Sequence, residues 1–173
     1  MNTLYLLRHA KTEDGKDKSD RERALTPRGV RAAQLMGLYA RQQSWQFDTV
    51  WVSDALRTRQ TWENFNLHLG FKGRVLFRPE LYLADAEAIR LMLAELPNAE
   101  QRVLCVGHNP GLQVLASSMA DEGSEPELLD RLYAGLPTGT MLCLEHAGTD
   151  WTDTMQRQHA AKLTMYLEPA DLV

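Results

Sequence analysis

Cysteine is nearly missing from this 173-residue chain: there are two, Cys105 and Cys143, each inside an apolar run. That excludes a disulfide-built scaffold, and the spacing offers no zinc site, so both read as buried free thiols in a reducing compartment. No apolar run approaches the length needed to span a bilayer, and no membrane association is expected. The amino terminus lacks a basic segment followed by a long apolar core, so no signal peptide is expected and the cytoplasm is the predicted location. An excess of positive charge is also missing. The net charge of −4 argues against a general nucleic-acid binder while leaving room for a local basic pocket. Internal repeats, low-complexity segments and interdomain linkers are absent too, and the length suits one domain over 1–173.

What is present is an ordinary globular composition, 44% hydrophobic and 24% charged, organised around its first apolar stretch. Leu4-Tyr5-Leu6-Leu7 runs straight into Arg8-His9, and the sequence then turns polar through Asp20. A short apolar run with an abrupt polar break reads as a buried strand and its carboxyl end. Ligands of open α/β sheets bind just beyond such ends. Arg8 and His9 therefore put a fixed positive charge beside a titratable nucleophile where a site is expected.

The segment Lys11 to Ala24 reads as a long charged loop, of a length that is often functional. Thr26-Pro27 starts a helix, with Thr26 as N-cap and Pro27 at the first helical position. Val30, Ala33, Gly37 and Ala40 should face the sheet, and Gly29 and Gly37 point to close packing or a nearby ligand. Phe47 to Val52 is a second strand. Ser53 then caps a helix that carries Arg57 in or just after its first turn, where free amides favour an anion. Taken alone, Arg57 reads as a surface arginine.

Arg74 to Arg78 is a third strand, followed by Glu80, a carboxylate able to move protons if it faces the same edge. Asp85 caps the next helix, whose stripe Ile89, Met92, Leu93 and Leu96 is core packing. Arg102 to Gly107 is a fourth strand, buried on both faces and ending at His108. Asn109 and Pro110 read as N-cap and first turn of a following helix. Leu112 to Ala120 and Pro126 to Tyr133 are short helices. Thr140 to Glu145 and Leu163 to Leu167 are strands separated by a loop containing Trp151.

Alternating strands and helices predict a three-layer α/β/α sandwich with a mostly parallel sheet. Its strand ends deliver His9, Glu80 and His108 to one edge, joined by Arg8 and Arg57. Arginines repel cations, so this is a poor metal site and a good pocket for a phosphoryl group.

Leu7-Arg8-His9-Ala10, Leu25-Thr26-Pro27-Arg28-Gly29, Ser53–Arg57–Thr61 and Val106-Gly107-His108-Asn109-Pro110-Gly111 together resemble the histidine phosphatase superfamily. From end to end, through Leu136-Pro137-Thr138-Gly139 and Leu167-Glu168-Pro169, the chain is similar to the SixA-type phosphohistidine phosphatases. The resemblance implies a phosphoglycerate-mutase-like fold and no metal or other cofactor. It makes His9 the nucleophile and Arg8, Arg57 and His108 phosphate ligands, with Glu80 near the acid/base position. The chain departs from the mutase and sugar-phosphatase branch, because Ala10 and Glu13-Asp14-Gly15 replace the glycine and Trp-Asn pair usual there. The expected activity is removal of phosphate from a phosphohistidine-bearing protein, since little sequence remains for a capping subdomain over the pocket. The alternatives are a phosphomonoesterase acting on a small phosphorylated molecule, and a phosphate-binding scaffold without turnover.

Overall fold

The computed structural model describes all 173 residues, Met1–Val173. Six strands form one sheet: β1 (Asn2–Arg8), β2 (Thr49–Ser53), β3 (Arg74–Arg78), β4 (Arg102–Gly107), β5 (Met141–His146) and β6 (Lys162–Leu167). Their order is β3-β2-β4-β1-β5-β6. The pairs β1–β4, β4–β2 and β2–β3 are parallel, whereas β5 runs against both its neighbours. The carboxyl ends of β1 to β4 therefore share one edge.

The side chains of β1 show why helices cover both faces. Leu4 and Leu6 point into one core and Leu7 into the other, as the two-residue period of a strand requires. On the Leu7 face lie α1 (Pro27–Gln42) and α2 (Leu56–Leu69), contributing Met36, Ala40, Trp62 and Phe65. On the other lie α3 (Ala86–Ala94), α4 (Gly111–Met119), α5 (Pro126–Ala134) and α6 (Trp151–Gln156), which include Ile89, Leu115, Leu132 and Trp151 in the core. This is the expected α/β/α sandwich. No helix is long and apolar enough to cross a membrane.

The helix starts at Thr26 and Asp85 form as expected, their side chains accepting from the amides of Gly29 and Ala88 at 3.0 and 2.8 Å. Three local expectations are corrected. Ser53 does not cap α2: it is the last residue of β2, paired with Arg78, and Ala55 is the N-cap. Pro110, not Asn109, stands at the N-cap of α4, although the Asn109 side chain still accepts from the Gln113 amide at 3.2 Å. Trp151 opens α6 instead of lying in a loop, because Asp150 caps that helix through the Asp153 amide and the Trp151 indole donates to the Glu100 carbonyl.

Gly29 and Gly37 serve close packing. A Cβ on Gly37 would lie 2.0 Å from the Phe65 carbonyl oxygen of α2, and one on Gly29 would lie 2.2 Å from the Lys11 carbonyl oxygen. Both cysteines are free and buried, on strands separated by β1, and burial pushes their thiols up to about 12 for Cys105 and about 11 for Cys143.

Candidate active site

Register builds the site. β1 and β4 are parallel neighbours with Arg8 opposite Gly107, so the next residues, His9 and His108, leave the sheet side by side. Parallel strands lie about 4.8 Å apart, and the two imidazole centroids are 5.5 Å apart. The backbone here is tied down twice. The His9 amide donates to the Gly107 carbonyl, and the Gly139 amide donates to the carbonyls of Arg8 and His9 at 3.2 and 2.9 Å. Gly139 has φ +78°, a left-handed conformation that glycine adopts without strain. On the other side, the Thr61 hydroxyl accepts from the Ala10 amide and donates to the Arg57 carbonyl, linking the residue after His9 to α2.

The ring of His9 has one chemically defined orientation. Its Nδ1 lies 2.9 Å from the Ala10 carbonyl oxygen, which can only accept. In the neutral ring Nδ1 must therefore carry the hydrogen, leaving the lone pair on Nε2. Burial lowers the pKa of His9 to about 4, and the nearby charges of Arg57, Arg8 and Arg23 push the same way. A neutral ring at pH 7 with a free Nε2 lone pair is a competent nucleophile. His108 is driven to about 3, again chiefly by burial and then by Arg57. Its Nε2 sits 2.7 Å from the Ser53 hydroxyl at the end of β2. With Ser53 donating, His108 keeps its hydrogen on Nδ1.

The arginines complete the arrangement. Arg8 directs one terminal nitrogen to the Leu136 carbonyl at 2.8 Å, and burial followed by repulsion from Arg57 lowers its pKa. Arg57 is almost fully buried, unlike the surface arginine it resembles in isolation, and donates to the backbone and carboxylate of Asp20 at 2.7 and 3.0 Å. Seven buried side-chain polar atoms have no partner in the protein, and three of them are Arg8 Nε, Arg57 Nε and His108 Nδ1. Buried donors are nearly always satisfied. Three on the groups surrounding one neutral histidine fit a tetrahedral oxyanion, and no group of three or more His, Cys, Asp or Glu gathers to hold a metal ion.

Thus four of the residues read from the sequence, Arg8, His9, Arg57 and His108, come together. Glu80 does not join them. It lies in a 3-10 turn after β3, is largely exposed, and turns its carboxylate to Arg78 at 3.3 Å. A hydrogen bond from its own backbone amide, and after it the Arg78 pair, lower its pKa. Two residues absent from the sequence reading do reach the site. Asp20, from the charged loop, holds Arg57, and the Tyr82 hydroxyl donates to the same carboxylate while its ring meets His108 edge-on at 5.6 Å. Their only signal was position: Asp20 in a loop of functional length, Tyr82 two residues past Glu80.

The fold is that of the phosphoglycerate-mutase-like α/β class, and its relatives are histidine phosphatases. A sequence profile described as the histidine phosphatase superfamily (branch 1) matches residues 4–82. An uncharacterized protein of Mycobacterium tuberculosis is 30% identical over 148 residues, covering 85% of this chain and 90% of the relative. The structure of a protein provisionally assigned as phosphohistidine phosphatase SixA from Nakamurella multipartitia superposes with a TM-score of 0.81 at 32% identity, covering 97% of this chain and 96% of the other. Another provisionally assigned SixA, from Agrobacterium tumefaciens, gives 0.78 at 25% identity, covering 97% and 98%. The chain belongs to the histidine phosphatase superfamily.

Proposed function

We propose that this chain, as one domain over 1–173, is a metal-independent phosphatase that removes phosphate from phosphohistidine on a partner protein. The observation that carries the reading is the neutral His9, its Nε2 lone pair free, beside three partnerless donors on Arg8, Arg57 and His108. Nε2 of His9 attacks phosphorus in line, forming a new N–P bond as the bond to the leaving nitrogen breaks. The departing imidazole takes a proton from solvent, and water then hydrolyses the phosphoenzyme to release phosphate and neutral His9. The donors offset the negative charge spread over the phosphoryl oxygens, which is most of what catalysis of this transfer requires.

The choice of substrate rests on the leaving group. A protonated imidazole departs without help, whereas an alkyl alkoxide needs a general acid. Glu80, the one acid expected at this edge, is solvent-facing and paired with Arg78, which favours the phosphoramidate. The likeness to SixA-type proteins over nearly the whole chain supports the same substrate class. Two buried free thiols suit a reducing, cytoplasmic setting. The test is to present a phosphohistidine-labelled protein and a panel of sugar phosphates side by side. Faster turnover of the phosphoprotein supports the proposal, and a preference for a sugar phosphate would replace it with small-molecule phosphoester hydrolysis.

A further inference from the structure

We propose that Asp20, steadied by Tyr82, is a positioning residue that fixes the Arg57 guanidinium for phosphate, making the charged loop a working part of the site. This rests on the phosphatase reading above.

Arg57 is the residue on which Asp20 acts. Its side chain is long and flexible, and it enters the site from the first turn of α2 with 2% of its surface exposed. Each terminal nitrogen gives one of its two hydrogens to the same residue: one donates to the Asp20 backbone carbonyl at 2.7 Å, the other to its carboxylate at 3.0 Å. A guanidinium is planar, so fixing two of its nitrogens fixes the third. The third is Nε, the atom left without a partner. Asp20 thereby determines which edge of Arg57 remains for an anion.

Asp20 is itself held from three directions. Arg23 Nε donates to one carboxylate oxygen at 3.1 Å, and the Tyr82 hydroxyl donates to the oxygen that also meets Arg57. Tyr82 is fixed in turn by His108 against its edge and by Arg21, whose guanidinium lies 4.0 Å above the ring centroid. Arg21 is anchored by both carboxylate oxygens of Asp54 at 2.6 and 2.8 Å. Segments following β1, β2 and β3 therefore meet at one carboxylate.

Two other roles fit less well. A general acid needs a proton, but hydrogen bonds from Tyr82 and Arg57 drive the Asp20 pKa to about 2. An ordinary surface ion pair leaves both partners wet, whereas here the aspartate is 45% exposed and the arginine 2%. The remaining competitor is a plug, in which the carboxylate occupies the place of phosphate, and it predicts the opposite result.

Calorimetric binding of inorganic phosphate and steady-state hydrolysis of phosphoramidate should be measured on wild type, Asp20→Ala, Asp20→Asn, Tyr82→Phe, Arg57→Ala and the Asp20→Ala/Arg57→Ala double variant. Misplacing a catalytic group by about an ångström can cost roughly 10²-fold, so Asp20→Ala should weaken phosphate binding and lower kcat/KM by about 10- to 100-fold. Asp20→Asn, which keeps an acceptor oxygen, should recover most of that, and Tyr82→Phe should lose a smaller amount. In the Arg57→Ala background, Asp20→Ala should cost almost nothing further. Unchanged or tighter phosphate binding in Asp20→Ala, or the same fold loss with and without Arg57, would overturn the proposal. A wild type that binds phosphate without turnover would defeat the phosphatase reading alone, because the binding comparison still decides the role of Asp20. A wild type that does not bind phosphate would overturn both.

Discussion

A histidine attacks phosphorus only while one ring nitrogen keeps its lone pair, and here a single carbonyl decides which one. Nδ1 of His9 faces the Ala10 carbonyl, so Nε2 is the reactive atom. The ring should titrate near 4 instead of the usual 6.5 or so. Nitrogen-15 shifts of the His9 imidazole, followed from pH 8 downward, should report the Nδ1–H tautomer until about pH 5. A midpoint near 6.5 would contradict the burial that sets the shift. At Glu80, replacement by Gln should slow phosphoramidate cleavage by less than about tenfold, because an imidazole leaving group gains little of the 10²–10⁴-fold available from general acid catalysis. A loss of 10²-fold or more on that substrate would make Glu80 an obligatory proton donor. Arg8, His9, Arg57 and His108 were legible because each stands where an apolar run breaks or a helix begins. Asp20 and Tyr82 were not, because their contact spans 62 positions and exists only once the loop folds over the sheet edge.

At the scale of elements, local chemistry and tertiary pairing compete, and the differences between expectation and structure follow from which prevails. Ser53 has the side chain of an N-cap, yet β3 pairs with it and keeps it in the sheet, freeing its hydroxyl for His108. Trp151 lies in a stretch without an apolar stripe, and α6 is held instead by its Asp150 cap and an indole bond to Glu100. The helices with clear caps and stripes, α1 and α3, were readable from sequence because no tertiary contact opposed them. The glycines of α1 narrow a choice that sequence left open between packing and ligand. Gly37→Ala would drive a methyl into the Phe65 carbonyl, and overpacking typically costs about 1–3 kcal/mol. A lowered urea midpoint with an unchanged slope should record it, and an unaltered midpoint would mean that α1 and α2 separate freely.

For the whole molecule, alternation of strands and helices was enough to give the three layers, whereas the antiparallel setting of β5 was not visible in its composition. The buried pair of histidines also links the site to global stability. Folded values of about 4 for His9 and about 3 for His108 lie below the ordinary value of about 6.5. Between those limits the unfolded chain binds protons that the folded chain refuses, so stability falls as pH drops below 6.5. The melting temperature should therefore decline from pH 6.5 to 5.5, where carboxylates with ordinary values of about 3.9 to 4.3 are still mostly ionised, and His9→Asn should flatten the decline. An equally steep decline in that variant would place its origin elsewhere. The donor set also predicts that protein treated with EDTA keeps its full rate, and a loss restored by a divalent ion would indicate metal-assisted chemistry.

The central claim, that His9 Nε2 carries the phosphoryl group during turnover, is tested most directly by rapid acid-free quenching with labelled phosphoramidate, followed by peptide mapping. An acid-labile, base-stable label on His9 is expected, forming and decaying at the rate of turnover and absent from a folded His9→Ala variant, which should also be inactive. Label on another residue, or substantial turnover by His9→Ala, would contradict it.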